Sequence, residues 1–225
     1  LSRSFRTSNY AELIRWGERD ASVFGTVSGA AGETELGVAL DEKGRGYYHN
    51  GQKLKTVTEF VGHFICVGFS PQDLMLLQGP PSGRRKFLDR HLADLAPAHL
   101  GSLLTYNRAL QSKNRLLKQG VERPELLDPW NEILAREALV LEAAREEFIR
   151  ALETKASEIH RAFCGGDERL SLRLMTNVKD DLRNAGALRR EYERYRNREI
   201  AFGSALLGPH RDDLLVRLGE RDARA

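Results

Sequence analysis

The feature that most constrains the fold of this chain is one long helical pattern in its second half. Asp128-Pro129 supplies a helix cap and a first-turn proline, and Gly165-Gly166 ends the pattern. A helix of this length must cover its apolar stripe with other elements, so the pattern predicts a helical unit within a larger fold. The apolar residues that recur at helical spacing are Trp130, Leu134, Ala138, Leu141, Phe148, Leu152, Ile159 and Phe163.

A second long helix is predicted just before it, from about His99 to Lys118, with Gly120 and Pro124 as its breakers. Two helices joined by a short loop predict an antiparallel hairpin, a short coiled-coil arm in which two seam asparagines set the register. Its seam residues alternate by three and four; they are Leu100, Leu103, Asn107, Leu110, Asn114 and Leu117.

Strand patterns flank this helical stretch. Asn50-Gly51 is the strongest two-residue hairpin signal, and Phe64 to Phe69 is a continuous apolar run that predicts a fully buried strand. The chain is therefore predicted to leave a β-rich lobe, make a helical excursion and return to strands. The predicted strands lie at residues 23–27, 36–40, 52–57, 64–69, 170–174 and 206–218, and further helices at 9–16, 82–95 and 188–198.

Composition narrows the class of protein. Of the 225 residues, 41% are hydrophobic and 30% are charged, which is typical of a soluble globular protein. No apolar run approaches the roughly 20 residues that span a bilayer, and no secretory signal is visible, so a cytoplasmic protein that does not bind membranes is expected. Cys66 and Cys164 have no CxxC partner and are predicted to be small buried residues, not a disulfide or a zinc site.

Charge is sorted by segment although the formal net charge is only +3. Residues 84–118 contain eight basic residues and two acids, and residues 183–198 contain six arginines and two acids. Residues 128–163 contain eight acids and five bases. Such sorting is expected where some faces of a protein meet an anionic polymer and others do not.

Three clusters place arginine beside a turn shaped by glycine, proline or serine. At such turns a backbone can approach a phosphate and a guanidinium can bind it with two donors. The clusters are Ser4-Phe5-Arg6, the stretch from Ser70 to Asp89 with Gly79-Pro80-Pro81-Ser82-Gly83-Arg84-Arg85-Lys86 within it, and Gly208-Pro209-His210-Arg211-Asp212-Asp213-Leu214.

The basic residues of the second cluster lie at the predicted start of a helix. Positive charge there opposes the helix dipole, so helix stability does not explain Arg84 and Arg85. An anionic partner would explain them, and so would surface salt bridges, for example Arg85 with Asp89 one turn on. The residues alone leave both interpretations open.

These motifs resemble the RecF family. SPQDLMLLQGPPSGRRKFLDR, at residues 70–90, is similar to the family's hallmark S-P-E-D-L followed by R-R-x-F-L-D. SFRTS followed by AELIRWGE resembles the segment just after the family's phosphate-binding loop, and GPHRDDL resembles its late block before the ABC-type signature motif. The three occur in the family's order across nearly the whole chain.

The resemblance implies an α/β fold: part of an ABC/SMC-like ATPase head with an inserted helical domain that carries the short coiled-coil arm. Residues 1–72 and 201–225 would belong to the head, and residues 73–200 would form the helical arm domain. In the complete protein such heads form a homodimer around ATP and Mg²⁺. They bind DNA, act with RecR and RecO to load recombinase at gaps, and support the SOS response.

The resemblance also implies site residues. Arg6 and Gln72 would lie near the nucleotide, although the family mostly has glutamate at the position of Gln72. Contacts with the phosphates of single-stranded, duplex or gapped DNA would select structure and not sequence. The residues expected to make them are Arg84, Arg85, Lys86 and Arg211, with Arg189, Arg190 and Arg194 as a second basic face.

Other candidate residues favour structural roles. His210 at a strand turn is predicted to be a structural hydrogen-bonding residue, so no catalytic residue is assigned. Tyr192 and Tyr195 could stack on bases but are predicted to pack on the neighbouring lobe. Asp212-Asp213 lacks the apolar strand that precedes a magnesium-binding pair, so no metal ligand is assigned.

One departure from the family concerns nucleotide chemistry. The sequence contains no G-x-x-x-x-G-K-[ST], no S-x-G-Q and no apolar run ending in Asp-Asp or Asp-Glu. The resemblance places the first just before residue 1 and the others just after residue 225. This chain alone is therefore expected to bind ATP poorly and not to hydrolyse it, and to be a monomer.

Two alternatives compete with this interpretation. One is a non-enzymatic scaffold whose helical arm recruits a protein partner and never binds DNA. The other is a different SMC-like ATPase, such as a nuclease-associated head. Those heads carry arms of hundreds of residues, so the short distance from Leu103 to Phe163 disfavours it.

Overall fold

The computed structural model describes residue 7 and residues 9–29, 32–165 and 168–224. Its contacts divide the chain into two compact units. The first comprises Leu1–Ser70 with Ala93–Pro97, and the second comprises Pro71–Leu92 with Ala98–Ala225. Every helix that the structure describes is too short or too polar to span a membrane.

The first unit is built on an antiparallel sheet. Its strands β1 (Ala21–Gly29), β2 (Gly32–Asp41), β3 (Gly44–His49) and β4 (Gln52–Leu54) pair in sequence order, and the short helix α1 (Val57–Phe60) follows. Asn50 and Gly51, with φ of 49° and 76°, form the turn between β3 and β4, as the sequence predicts. Leu36, Tyr47 and Phe60 form the small core beneath the sheet.

The predicted buried strand at Phe64–Phe69 is wrong. Residues 65–70 have no regular secondary structure, and Val67 and Phe69 are 85% and 80% exposed. Apolar, β-prone residues become a strand only where a neighbouring strand takes up their backbone hydrogen bonds, and the described part of this unit offers none beside them. Cys66 is also exposed, as is Cys164 in the second unit, so the prediction that both are buried is wrong.

The second unit consists of helices and a small sheet. The helices are α2 (Met75–Gln78), α3 (Pro81–Leu95), α4 (Pro97–Gln119), α5 (Asp128–Cys164) and α6 (Ala185–Phe202). The strands β5 (Leu170–Met175), β6 (Asp213–Leu218) and β7 (Arg221–Asp222) pair antiparallel in that order. The bounds predicted for α5 agree with the structure, and Gly165 ends it in the left-handed conformation with φ of 58°.

Two cores hold this unit together. The larger joins α4, α5 and α6, and it includes Leu134, Leu141 and Leu188, all fully buried. The smaller joins α3 and α5 to the sheet through Leu88, Ile149 and Leu214. Burial of each such leucine contributes about 1.5–3 kcal/mol. At the far end of α5, Ile159 and Phe163 are exposed, so the predicted stripe is buried only over its earlier part.

The seam predicted for α4 is shifted. Asn107 is exposed, and Asn114 accepts a hydrogen bond from the backbone N–H of Ala205 instead of pairing in a coiled coil. Polar residues occupy part of the buried face, which the apolar pattern did not reveal. The buried residues of α4 are His99, Tyr106, Ala109, Lys113 and Leu117.

A mixed α/β chain is confirmed. The assignment of residues 1–72 and 201–225 to an ATPase head, and the coiled-coil character of the helices, stay predictions. In the structure residues 201–225 pack with the second unit, where β6 pairs with β5.

Candidate functional site at the GPHRDD loop

Residues 208–213, here called the GPHRDD loop, lead into strand β6. Gly208 has a φ of 116°, and a Cβ atom there would lie 2.6 Å from the hydroxyl of Tyr106 and 2.7 Å from that of Tyr192. Only glycine fits at this position, because another residue would be strained at this φ and its Cβ would clash with the two hydroxyls. Pro209–Arg211 then form a single 3-10 turn, closed by the N–H of Arg211 donating to the carbonyl of Gly208 at 2.9 Å.

Arg145 of α5 binds the loop from inside the protein. It is 2% exposed, and its guanidinium donates two hydrogen bonds of 2.9 Å to the carboxylate of Asp89. One further nitrogen donates to the carbonyl of Pro209 and to the carboxylate of Asp212, both at 2.8 Å. Burial opposes the charge, but the two carboxylates outweigh it and raise the pKa of Arg145. Arg145 thus links α3, α5 and the loop.

Acidic groups crowd the inner side of the loop. Asp212 is fully buried, and burial raises its pKa despite the nearby charge of Arg145. Glu142, 2% exposed, accepts a hydrogen bond of 3.1 Å from the hydroxyl of Thr176. Burial, followed by the charge of Asp212, raises the pKa of Glu142 to about 8. The inner side of the loop therefore holds more carboxyl groups than the positive charge of Arg145 can neutralise.

We expect Glu142→Gln to stabilise the protein at pH 8.5 and to change little at pH 5. Native Glu142 keeps its proton up to about pH 8, whereas the unfolded chain loses it near the ordinary value of 4.5. The native state therefore loses stability as pH rises through that window. The gain at pH 8.5 is on the order of 2 kcal/mol in the free energy of unfolding, measured with urea. Glu147→Gln, at an exposed position of α5, is the control, and an equal effect at both pH values would contradict the expectation.

Arg84 of α3 holds the other end of the loop. It is 2% exposed, and it donates two hydrogen bonds, of 2.6 and 3.0 Å, to the carboxylate of Asp213. Its remaining nitrogen donates to the carbonyls of Leu76, Leu77 and Gly79 at 2.8–3.1 Å. The guanidinium is therefore saturated by the protein itself. Its ion pair with Asp213 is buried and is not the surface salt bridge considered from the sequence, and the contact of Arg84 with phosphate stays a prediction.

The neighbouring cations lie further out. Arg85 is half-buried and donates a 2.6 Å hydrogen bond to the carbonyl of Asp212. Burial and the charge of Arg145 lower the pKa of Arg85. Lys86 and Arg211 are exposed, although Arg211 also donates to the carbonyl of Ala205 at 2.8 Å. These three side chains stay candidates for phosphate contact.

His210 has a structural environment. Its Nδ1 lies 2.7 Å from the hydroxyl of Tyr106, and its Nε2 lies 3.1 Å from the carbonyl of Ala205. Burial lowers the pKa of His210 to about 4, so the ring is neutral at pH 7. The carbonyl accepts from Nε2–H, which leaves Nδ1 to accept from the tyrosine. The histidine therefore fixes the loop against α4, as the sequence predicts.

Comparison with known proteins identifies the source of these motifs. The chain is 34% identical to the DNA replication and repair protein RecF of Macrococcus caseolyticus, and 34% identical to that of Staphylococcus carnosus. Each alignment covers the whole chain and 63% of the relative. Over this stretch, the chain belongs to the RecF family. No protein-family model matches it.

Solved RecF structures have the same fold as this RecF-family chain. A structure of the recombination mediator protein RecF-ATP in the RecFOR pathway superimposes with a TM-score of 0.89 at 28% identity. A second, with RecF-ATPrS, gives 0.89 at 27% identity. Both superpositions cover 99% of this chain and 62% of the other. The chain thus spans about three fifths of the length of the RecF proteins that it matches.

The family's hallmark and its late block meet in this structure. Arg84 and Asp89 of the hallmark bind Asp213 and, through Arg145, Asp212 of the GPHRDD loop. The two RecF motifs therefore meet through two sets of ion pairs, one at Asp213 and one at Arg145, which spacing alone did not predict. Arg6 lies outside the described residues, and the side chain of Gln72 is not described, so their roles near the nucleotide stay predictions.

The second predicted basic face lies along α6. Arg190 and Arg194 are exposed, while Arg189 and Arg194 pair with acids of the same helix, Glu193 at 3.8 Å and Glu191 at 2.8 Å. These pairs reduce the charge that this face offers to an anion. Tyr192 is fully buried in the larger core of the second unit and Tyr195 is half-buried, and packing on the neighbouring lobe stays a prediction.

Sequence reasoning also missed a buried ion pair between α4 and α6 of this RecF-family chain. Lys113 and Glu199 meet at 2.6 Å with both side chains fully buried, and the lysine nitrogen lies 4.6 Å from the centre of the Tyr192 ring. Burial lowers the pKa of Lys113, and Glu199 opposes that shift. Lys113 is four residues after Ala109 and four before Leu117 on the buried face of α4, which is the signal that could have placed it.

Proposed function

We propose that this chain is the DNA-binding part of a RecF-type protein that acts in bacterial DNA replication and recombinational repair. The observation that carries the proposal is the GPHRDD loop. Buried Arg145 and Arg84 pair with its two carboxylates. Arg85 and Arg211 donate to backbone carbonyls of the loop and of Ala205, and Lys86, next to Arg85 in sequence, is exposed. A rigid support with cations at the surface suits phosphate groups.

The more specific role of the complete protein is proposed from its membership of the RecF family. The proposed protein dimerises with ATP, loads recombinase at gaps in concert with RecR and RecO, and supports the SOS response. Contacts with phosphates do not distinguish bases, so we expect preference for a DNA structure, such as a gap, and not for a sequence.

We propose no site for ATP or Mg²⁺ on the described residues of this chain. The sequence has no G-x-x-x-x-G-K-[ST] loop, and the carboxylates of Asp212 and Asp213 bind Arg145 and Arg84. Nucleotide chemistry is therefore proposed for the complete protein, and no step of it is assigned to these residues.

The proposal is tested by titrating fluorescent gapped DNA with the full chain and with Lys86→Ala/Arg190→Ala/Arg194→Ala, whose three positions are exposed. We expect roughly tenfold weaker binding at low salt, because up to three phosphate contacts are lost. The control Lys43→Ala/Lys53→Ala/Lys55→Ala removes the same charge from exposed positions of the first unit. Absence of DNA binding by the parent chain would contradict the proposal and favour the scaffold.

A further inference from the structure

The outer face of α4 carries cations on a helix that contains no acidic residue. The helix contains no aspartate or glutamate from Pro97 to Gln119. Residues 107, 108, 111, 115, 118 and 119 are all exposed, and they fall within an arc of about 120° at the α-helical advance of about 100° per residue. Together they form what we call the α4 stripe: Asn107, Arg108, Gln111, Arg115, Lys118 and Gln119.

The cations of the α4 stripe are not neutralised. Arg108, Arg115 and Lys118 form no ion pair with any residue that the structure describes. The arginines of α6 differ in this respect, because Arg189 and Arg194 pair with glutamates one turn away. Lys113, the fourth cation of α4, lies on the opposite face of the helix and forms an ion pair with Glu199.

We infer that the α4 stripe binds the phosphate backbone of DNA. The inference rests on the proposed DNA-binding function and names a surface for it. Arg108 and Lys118 are ten positions apart, which is about 15 Å along the helix and matches about four nucleotides of one strand. Arginine, lysine, asparagine and glutamine are the side chains that donate to phosphate and sugar oxygens, and the stripe consists of these alone.

The same composition disfavours a protein partner. Protein interfaces have an apolar core, and they are enriched in aromatic residues and arginine and depleted of lysine. No aromatic residue belongs to the stripe, and Leu100 and Leu104, which continue its arc toward the start of α4, are half-buried. An anionic polymer fits this surface better than an acidic protein.

The stripe is rigid because the other side of α4 is anchored. Tyr106 binds His210 at 2.7 Å, and Asn114 accepts from the N–H of Ala205 at 2.8 Å. The buried pair of Lys113 with Glu199 adds a third attachment. The α4 stripe is thus fixed to the segment that precedes and forms the GPHRDD loop.

The test is a titration of gapped DNA over a salt series with the full chain and with Arg108→Ala/Arg115→Ala/Lys118→Ala. We expect roughly ten- to hundredfold weaker binding at 0.1 M salt. The slope of log K against log salt should fall by about 2–3, because each phosphate contact contributes about 0.9. Binding to DNA of different sequence should weaken equally.

The matched control is Arg136→Ala/Arg150→Ala/Arg161→Ala, which removes three exposed cations from α5 and changes the net charge equally. It should keep the salt slope of the parent. If the parent binds DNA and the α4 variant behaves like this control, the inference is overturned while the proposed function stands. If the parent does not bind DNA, both fail. Equal unfolding curves for the two variants exclude loss of folding as the cause.

Discussion

Arg145→Met is expected to lower the free energy of unfolding by about 3–5 kcal/mol, because it leaves two buried carboxylates without their counter-charge. Methionine keeps most of the apolar stem, so lost packing contributes little. Arg145 supplies four hydrogen bonds within a site where both it and Asp212 are almost completely buried. Urea unfolding at pH 7 measures the loss.

The acid dependence of this variant separates electrostatics from packing. Without Arg145, Asp89 and Asp212 take up protons more readily in the native state, so the deficit should shrink between pH 7 and pH 4. Arg150→Met, at an exposed position of the same helix, should change stability by less than about 0.5 kcal/mol. A deficit below about 1 kcal/mol for Arg145→Met, or one independent of pH, would contradict the network described here.

Lys113→Met is expected to cost about 3–5 kcal/mol, since it leaves the carboxylate of Glu199 buried and unpaired. Adding Glu199→Gln should recover most of that loss. The glutamine oxygen can still accept the 2.8 Å hydrogen bond from the N–H of Leu206, and no charge is left in the core. A double-mutant cycle by urea unfolding measures the coupling.

Comparison of the single variants with the double variant shows whether the two side chains depend on each other. Glu199→Gln alone should destabilise, because the ammonium of Lys113 then has no counter-charge. If the double variant is as unstable as the sum of the two single variants, Lys113 and Glu199 act independently and the buried pair is not formed in solution.

Local signals in the sequence predicted several elements well. Asn50-Gly51 fixed the β3–β4 hairpin because few dipeptides adopt two positive φ angles in succession. Asp128-Pro129 and Gly165 bounded α5 within a residue, because a first-turn proline and a terminal glycine act on the backbone next to them. The predicted cap by Asp128 is wrong, since Leu127 is the N-cap and the carboxylate of Asp128 pairs with Arg196. Such features depend on neighbours in sequence, so they can be recognised without the fold.

Features that depend on tertiary partners were missed. Arg84 meets Asp213 across 129 positions, and no local pattern distinguishes a guanidinium that faces solvent from one that meets a distant carboxylate. The shift of the α4 seam has the same origin, since Tyr106 and Lys113 are buried only because His210 and Glu199 satisfy them. The apolar segment at 64–69 shows the converse case, in which strand propensity lacks a pairing partner.

The most direct test of the account is the salt dependence of DNA binding by the unmodified full chain, measured by fluorescence anisotropy with a gapped duplex between about 0.05 and 0.3 M salt. Phosphate contacts through the α4 stripe and the cations near the GPHRDD loop predict a log–log slope of about −3 or steeper. A slope near zero, or no binding at the lowest salt, would show that these basic surfaces do not hold DNA and would contradict the account.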